Sequence, residues 1–240
     1  MSDARQENPN IDELLTISEI AQYLKVSERT IQRMIRSGEV PSAKVSGQWR
    51  FVRAIIDDWI LSKMQSVQKS NLVDVIATET KIHSLIELVP KEHILMDMKA
   101  GPVEFILEQL VGVLTAAGTL PSAEPLFSTL RMREEMMSTA VGGGVALPHP
   151  RNPEAMGFLK NHVVLGICPK GTDFDSLDGE KTYVFGLLCA RNTTAHLRLM
   201  AKLSYLFRTT GIVGAFRKAT TAEEILEHIK NNHKTLSIEL

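Results

Sequence analysis

A polar stretch over residues 62–71 interrupts the apolar periodicity of this 240-residue chain. Apolar residues recur at regular spacing before it, from Leu14 to Leu61, and again after it, from Leu72 to about Ile229. A polar break between two apolar-rich stretches is typical of a domain boundary, so two separate cores are expected. The predicted divisions are a disordered tail over 1–12, a small domain over 13–61, a linker over 62–84 and a larger domain over 85–233.

The composition, with 44% hydrophobic and 23% charged residues, is typical of a globular protein. A formal net charge of −1 excludes a globally basic nucleic-acid coat but allows a local basic face. Cys168 and Cys189 lie in apolar runs, which favours buried thiols in a reducing cytosol over a disulfide framework. No apolar run approaches the roughly 18 residues of a membrane span. Because residues 1–10 are polar, we predict a cytoplasmic protein without a secretory signal or membrane segment.

Helix-capping residues punctuate the small domain. Thr16 and Glu19 have the spacing of a capping box, and Ser27 can cap a second helix after a short turn. Gly38 supplies a left-handed exit from that second helix. Two short helices joined so tightly predict a helix-turn-helix. A Ser46-Gly47 turn then predicts a hairpin, or wing, and a closing helix is expected from Arg53.

The outer face of the second predicted helix is rich in hydrogen-bond donors. Guanidinium and amide groups are the donors that phosphates and purine edges require. The candidate DNA-contacting residues, on this helix and on the wing, are Arg29, Gln32, Arg33, Arg36, Lys44 and Arg50. A charged helix face can also be simply solvated or can dock a protein, so both alternatives stay open at this point.

The run from Leu15 to Ile31, together with Gly47-Gln48-Trp49-Arg50-Phe51, resembles the excisionase-type winged helix-turn-helix family. The resemblance covers nearly all of residues 14–61, and the wing segment is its most specific part. It implies that this domain binds DNA.

The larger domain shows helical and strand-like segments in alternation. An opening strand is expected within residues 86–98, followed by a helix from Pro102 to near Gly118 and a second over about 123–137. Strands are predicted over 144–147, 162–168 and 183–190, and helices over 195–207 and 222–229. This order predicts an α/β fold, with a layered mixed sheet flanked by helices.

One segment of this domain, Arg133 to Pro150, carries the chemistry. Three consecutive glycines, Gly142 to Gly144, permit close backbone approach and can leave amides free for an anion. A short strand then leads to His149, whose backbone Pro148 and Pro150 restrict. An imidazole with a pKa of about 6.5 can act as a nucleophile near neutral pH. Taken alone, a histidine between prolines is more often structural than catalytic.

The order Arg-Glu, Ser-Thr, glycine-rich turn and Ala-Leu-Pro-His resembles enzyme IIA domains of the mannitol/fructose type, from the bacterial phosphotransferase system. The resemblance extends over roughly residues 86–229. It implies that His149 accepts a phosphoryl group from a histidine phosphocarrier protein, that Arg133 holds phosphoryl oxygens and that His196 donates a hydrogen bond. Weaker candidates for the same pocket are Thr139, Gly143 and Gly144. Ala140 departs from the glycine that is common in the family after Ser-Thr.

The combination of the two resemblances implies a regulatory protein similar to the nitrogen-related branch of the family. We expect a phosphoryl carrier rather than a turnover enzyme, coupled to DNA binding and transcription regulation, with regulatory protein partners and no cofactor. Two alternatives stay open: a plain phosphocarrier whose first domain docks a protein, and a phospho-independent DNA-binding regulator. A metal site from His149, His162 and His196 lacks paired ligand spacing, and Ser138 lacks the nucleophile elbow of a hydrolase.

Overall fold

The structure is a computed structural model that describes residues 14–53, 55–56, 59–60, 85–176, 178–208 and 211–238. The chain divides into two compact units, Met1–Ile60 and Leu61–Leu240. The tail expected over 1–12 and the linker expected over 62–84 lie outside the described residues.

The N-terminal unit begins with strand β1 (Leu14–Leu15), helix α1 (Ile17–Tyr23) and helix α2 (Glu28–Arg36). The predicted capping box is confirmed, because Thr16 and Glu19 each bind the backbone N–H of the other. The Ser27 hydroxyl accepts from the Thr30 N–H at 3.2 Å and starts α2. Gly38 follows α2 with a φ of +68°, as expected of a residue that leaves a helix in the left-handed region.

The predicted hairpin is present as β2 (Ala43–Val45) and β3 (Gln48–Val52). Ser46 and Gly47 both have positive φ angles, the requirement of a tight two-residue hairpin turn. β3 also pairs with β1, so the sheet order is β1-β3-β2. Residues 53, 55–56 and 59–60 are helical. A small core buries apolar side chains from α1, α2, β3 and these helical residues, namely Ile20, Ile31, Phe51, Ile56 and Ile60.

The C-terminal unit is the predicted α/β fold. Its helices are α3 (Leu85–Leu88), α4 (Val103–Ala116), α5 (Glu124–Met136), α6 (Thr193–Phe207), α7 (Ile212–Lys218) and α8 (Ala222–Ile238). Its strands are β4 (Ile94–Leu95), β5 (Ala140–Gly142), β6 (Val145–Ala146), β7 (His162–Thr172) and β8 (Thr182–Cys189). Among the described residues of this unit there are also two short 3-10 turns, Lys91–His93 and Glu154–Met156.

The five strands form one mixed sheet in the order β4-β7-β8-β6-β5. β7 and β8 are antiparallel and form its centre, whereas β4 runs parallel to β7 and β6 runs parallel to β8. Alternate side chains of β7 enter opposite cores, with Val163 and Leu165 on one face and Val164 and Cys168 on the other. α4 and α5 cover the second face, and α6, α7 and α8 contribute to the first.

Two connections bring the site together. β6 is parallel to β8, and the Leu188 N–H donates to the Pro148 carbonyl at 2.9 Å, so the chain after β6 reaches the carboxyl end of β8. Three residues separate the end of β8 at Cys189 from the start of α6 at Thr193. His149 and the N-terminal turn of α6 therefore lie at the same edge of the sheet.

Candidate functional site

His149 lies just beyond β6 with its ring held by the backbone. Nδ1 is 2.8 Å from the carbonyl oxygen of Leu147. The Leu147 N–H in turn donates to the Thr139 carbonyl at 3.0 Å, which ties this segment to the start of β5. The imidazole is fully buried, and Nε2 has no hydrogen-bond partner among the described residues. Nδ1 is therefore hydrogen-bonded to the backbone, whereas Nε2 has no hydrogen bond to the described residues.

The hydrogen bond to Leu147 fixes the tautomer of His149. A carbonyl oxygen only accepts, so Nδ1 must carry the proton and donate it. Burial lowers the pKa of His149 well below the usual histidine value, and electrostatic interaction with the nearby His196 and Arg133 lowers it further. The ring is consequently neutral at neutral pH, and Nε2 keeps its lone pair, as a nucleophile requires.

His196 contacts His149 from the first turn of α6. Asn192 caps this helix by accepting from the Ala195 N–H at 2.9 Å, which places His196 one residue further along the same turn. The two imidazole centroids are 4.9 Å apart with an interplanar angle of 47°. His196 is 2% exposed.

Arg133 comes from the last turn of α5 and is 1% exposed. Its Nη1 donates to the Met137 carbonyl at 2.7 Å, which turns the guanidinium back over the end of its own helix. Its charge contributes to the lowered pKa of His149, so the two groups lie within electrostatic reach. The structure thus brings His149, Arg133 and His196 into one buried cluster.

Thr139 is buried close to this cluster but is already engaged. Its N–H donates to a carboxylate oxygen of Glu134 at 2.8 Å, and its hydroxyl donates to the other oxygen. Glu134 therefore joins the end of α5 to the start of β5 and, through Leu147, supports His149. Sequence reasoning missed this role, although Glu134 stands directly after Arg133 in the motif.

The glycine turn is placed differently from the expectation. Gly144 sits beside the start of β8, because its carbonyl accepts from the Tyr183 N–H at 2.8 Å, whereas Pro148 pairs near the end of that strand. The Gly143 N–H donates to the Asp178 carboxylate at 2.8 Å. The amides of Gly143 and Gly144 therefore lie away from His149 and do not form an anion cradle around it. The positive φ of both residues serves the tight β5–β6 turn.

The histidine and serine of the rival interpretations are engaged by other residues. His162 pairs with His93 at a centroid distance of 5.6 Å, and the Ser138 hydroxyl donates to the Phe174 carbonyl. Within the described ranges, no group of three or more His, Cys, Asp or Glu side chains could hold a metal ion.

A second candidate surface lies on the N-terminal unit. The side chains of Arg29, Gln32, Arg33 and Arg36 are exposed on α2. A groove of about 370 Å³ is lined by hydroxyl and guanidinium side chains, namely Ser27, Arg29, Thr30, Arg33 and Arg36. Groups of this kind suit phosphate oxygens. A neighbouring groove of about 300 Å³ runs from Gln32 and Arg36 to Trp49, so the basic face continues to the wing.

The two wing candidates differ in availability. Lys44 is exposed, with its Nζ 5.8 Å from the centre of the Trp49 ring. Arg50 is half-buried and donates to the Trp49 carbonyl at 2.9 Å and to the Gln48 side chain at 2.5 Å. Because Arg50 is already engaged within its own strand, Lys44 is the more exposed of the two wing candidates.

Known proteins resemble both units. Residues 14–64 match the family model described as "Helix-turn-helix domain". The chain is 31% identical over 143 residues to a nitrogen regulatory protein of Bradyrhizobium diazoefficiens, covering 59% of this chain and 91% of that protein. It is 25% identical over 152 residues to the fructose-specific EIIABC component of Bacillus subtilis, covering 62% of this chain. The chain spans 24% of the length of that EIIABC component and 32% of an Escherichia coli O157:H7 multiphosphoryl transfer protein that it also matches.

Solved structures give the same result for the C-terminal unit. The crystal structure of the nitrogen regulatory protein IIA-Ntr from Neisseria meningitidis aligns with a TM-score of 0.54 and 28% identity, covering 60% of this chain and 98% of that one. IIA mannitol from Escherichia coli, at 23% identity and a TM-score of 0.52, shares the fold. In the part of the chain that the structure describes, no helix is both long and apolar enough to span a membrane.

The family model described as "Phosphoenolpyruvate-dependent sugar phosphotransferase system, EIIA 2" matches residues 87–232. This range contains the mixed sheet and the buried cluster of His149, Arg133 and His196. Because the match covers more than half of the chain, the protein belongs to the EIIA 2 family of the phosphotransferase system.

Proposed function

We propose that this protein accepts a phosphoryl group on His149 from a histidine phosphocarrier protein and couples that modification to DNA binding by its N-terminal unit. The observation that carries the proposal is the state of the His149 ring. Nδ1–H is held by Leu147, and Nε2 is neutral and without a hydrogen-bond partner among the described residues. Membership of the EIIA 2 family supports the same reaction.

The transfer is an exchange between two imidazoles. The Nε2 lone pair of His149 forms a new N–P bond while the N–P bond of the donor phosphohistidine breaks. The electron pair of the broken bond returns to the donor ring nitrogen. Nδ1–H of His149 stays on the Leu147 carbonyl throughout, so the step moves no proton on this ring.

Arg133 and His196 complete the proposed site. A guanidinium stabilises the negative charge on the oxygens of a phosphoryl group during its transfer. This stabilisation is strongest when the guanidinium is buried, as that of Arg133 is. His196 would donate a hydrogen bond to the same group from the start of α6, where the helix dipole also favours an anion.

Phosphorylation of the acceptor is tested with the full chain, labelled phosphoenolpyruvate, the general transferase and its phosphocarrier. We expect one phosphoryl group per chain and complete loss of label in His149→Ala. His228→Ala serves as the control, because His228 is a half-buried histidine on α8 that is distant in sequence from the motif. Undiminished labelling of His149→Ala would overturn the assignment.

DNA binding is tested by measuring affinity against salt concentration. The affinity should fall steeply with salt, because phosphate contacts release counterions. Arg33→Ala should weaken binding and reduce the salt slope by about 1. Lys160→Ala removes the same charge from the other unit and should leave both quantities unchanged. A salt-independent affinity, or an unaffected Arg33→Ala variant, would contradict phosphate contacts by α2.

The coupling is tested by comparing DNA affinity with and without the phosphoryl group. The modification adds about −1.5 to −2 charges at His149, enough to alter an interface. A shift in affinity supports the coupled regulator. Equal affinities would instead support the phospho-independent regulator. Phosphorylation without any DNA binding would support a phosphocarrier whose first unit docks a protein.

A further inference from the structure

The buried cluster is closed. His149 has no exposed surface, and Arg133 and His196 are almost fully buried. A phosphorus atom must come within bonding distance of Nε2 for transfer to occur, but that atom exposes less than 1 Å² of surface. Some of the surrounding chain must therefore move before the donor can reach the ring.

The segment that follows His149, residues 150–161, is the best suited to move. Its only regular structure is the single turn Glu154–Met156, which ends at Gly157 with a φ of +65°. Its buried apolar side chains are Pro150, Pro153 and Phe158, whereas Met156 is half-buried and Leu159 is 91% exposed. In contrast, Arg133 and His196 stand on helices of 13 and 15 residues. Segments with few buried apolar contacts open at the least cost in free energy.

Two hydrogen bonds hold this segment against the start of α6. The Thr193 N–H donates to Glu154 Oε1 at 3.0 Å, and the Arg191 N–H donates to Asn161 Oδ1 at 3.0 Å. Thr193 is the first residue of α6, where exposed N–H groups attract a carboxylate. Glu154 and His196 therefore act on the same helical turn.

We propose that Glu154 controls access to His149, as a latch that holds residues 150–161 closed through the Thr193 N–H. This inference rests on the proposed function and identifies a residue that regulates its site. The latch is sensitive to the product, because a phosphoryl group at His149 places negative charge at the helix end that the Glu154 carboxylate already occupies. Repulsion between the two anions then favours the open segment after transfer.

Diethyl pyrocarbonate tests the latch without any phosphoryl donor, because it acylates accessible neutral imidazoles. The rate of modification at His149 is read by peptide mass spectrometry on the full chain. We expect diethyl pyrocarbonate to react slowly with His149 in the protein without substitutions. The rate should be roughly tenfold higher in Glu154→Ala, because that variant loses one hydrogen bond to a charged group. Glu154→Gln, which loses the charge but keeps an acceptor, should give a smaller increase.

Glu108→Ala is the matched control, since Glu108 is an exposed glutamate on α4 and its removal should leave the rate unchanged. Circular dichroism of each variant checks that the fold is retained. Equal rates in Glu154→Ala and the unmodified protein would overturn the latch, and so would a His149 that already reacts as fast as His228. These results stand whether or not the phosphocarrier labels the protein, so failure of the latch is distinct from failure of the proposed function.

Discussion

At the scale of single residues, the local backbone determines what His149 can do. The carbonyl of Leu147 selects one tautomer, and burial keeps the ring neutral by lowering its pKa. Neither effect requires a carboxylate partner, which in many catalytic histidines orients the ring. The positive charge of Arg133 opposes protonation of the same ring.

Arg133→Lys tests whether the planar guanidinium matters beyond its charge. We expect the rate of phosphoryl transfer to His149 to fall by about 10- to 100-fold, because a lysine ammonium cannot present the same fork of donors. Arg131→Lys is the control on the same helix, since Arg131 is exposed and pairs with Glu135. Single-turnover labelling measures both rates. Equal rates for Arg133→Lys and the control would show that charge alone suffices.

At the scale of elements, the central strand β7 is held tightly between its neighbours and α4. Gly166 pairs with Leu95 of β4 and with Phe185 of β8. A Cβ placed on Gly166 would overlap the Met98 sulfur and lie 2.8 Å from Leu110 Cδ2. The absence of a side chain at this position therefore lets α4 approach the sheet.

Gly166→Ala should destabilise the C-terminal unit by about 1–3 kcal/mol, the usual cost of overpacking a core. Gly112→Ala is the control, because an added Cβ meets nothing within 4 Å on α4. That change should instead stabilise the unit by up to about 1 kcal/mol through helix propensity. Urea unfolding followed by circular dichroism measures both. Similar effects from the two substitutions would contradict the packing argument.

Elements with strong local signals were predictable from sequence, and those that depend on tertiary contacts were not. The two central strands begin within one residue of their expected positions, because long apolar runs mark them. α7 was missed, since Ile212 and Phe216 give it only two buried positions. The strand expected within residues 86–98 is only two residues long, β4 (Ile94–Leu95), because the 3-10 turn Lys91–His93 occupies the residues before it. The burial of His149 and the engagement of Gly143 by Asp178 arise from residues distant in sequence, which local patterns do not report.

At the scale of the whole molecule, the two units differ in their tryptophan and histidine content, so that different measurements follow each unit. All seven histidines follow residue 82, and both tryptophans, Trp49 and Trp59, precede residue 61. Tryptophan fluorescence therefore follows the N-terminal unit. Far-UV circular dichroism follows mainly the C-terminal unit, which contains six of the labelled helices. The stability of each unit can be measured in the intact chain.

This separation leads to a prediction about pH. Burial lowers the pKa of His93, His149 and His162 in the folded state. Unfolded histidines titrate near about 6.5, so unfolding takes up protons below that pH. The free energy of unfolding of the C-terminal unit should therefore fall as the pH drops below about 6.5 and stay flat, with respect to these groups, above about 7.5.

Urea midpoints at several pH values, read by circular dichroism and by tryptophan fluorescence, measure this difference. The N-terminal unit contains no histidine, so the urea midpoint of its unfolding transition should change less over the same pH range. His93→Gln should reduce the slope of the C-terminal transition, because it removes one of the three contributing groups. A C-terminal midpoint that is constant between pH 7 and pH 5 would contradict the prediction.

The two cysteines have a practical consequence for following the C-terminal unit. Cys168 and Cys189 are both free, fully buried and placed on its central strands, and burial raises the pKa of each thiol. An alkylating reagent can reach them only when β7 and β8 separate from their covering helices. The rate of alkylation in dilute buffer therefore measures how often the sheet opens. Comparing that rate before and after phosphorylation would show whether a charge added at the edge of the sheet changes the opening rate of its central strands.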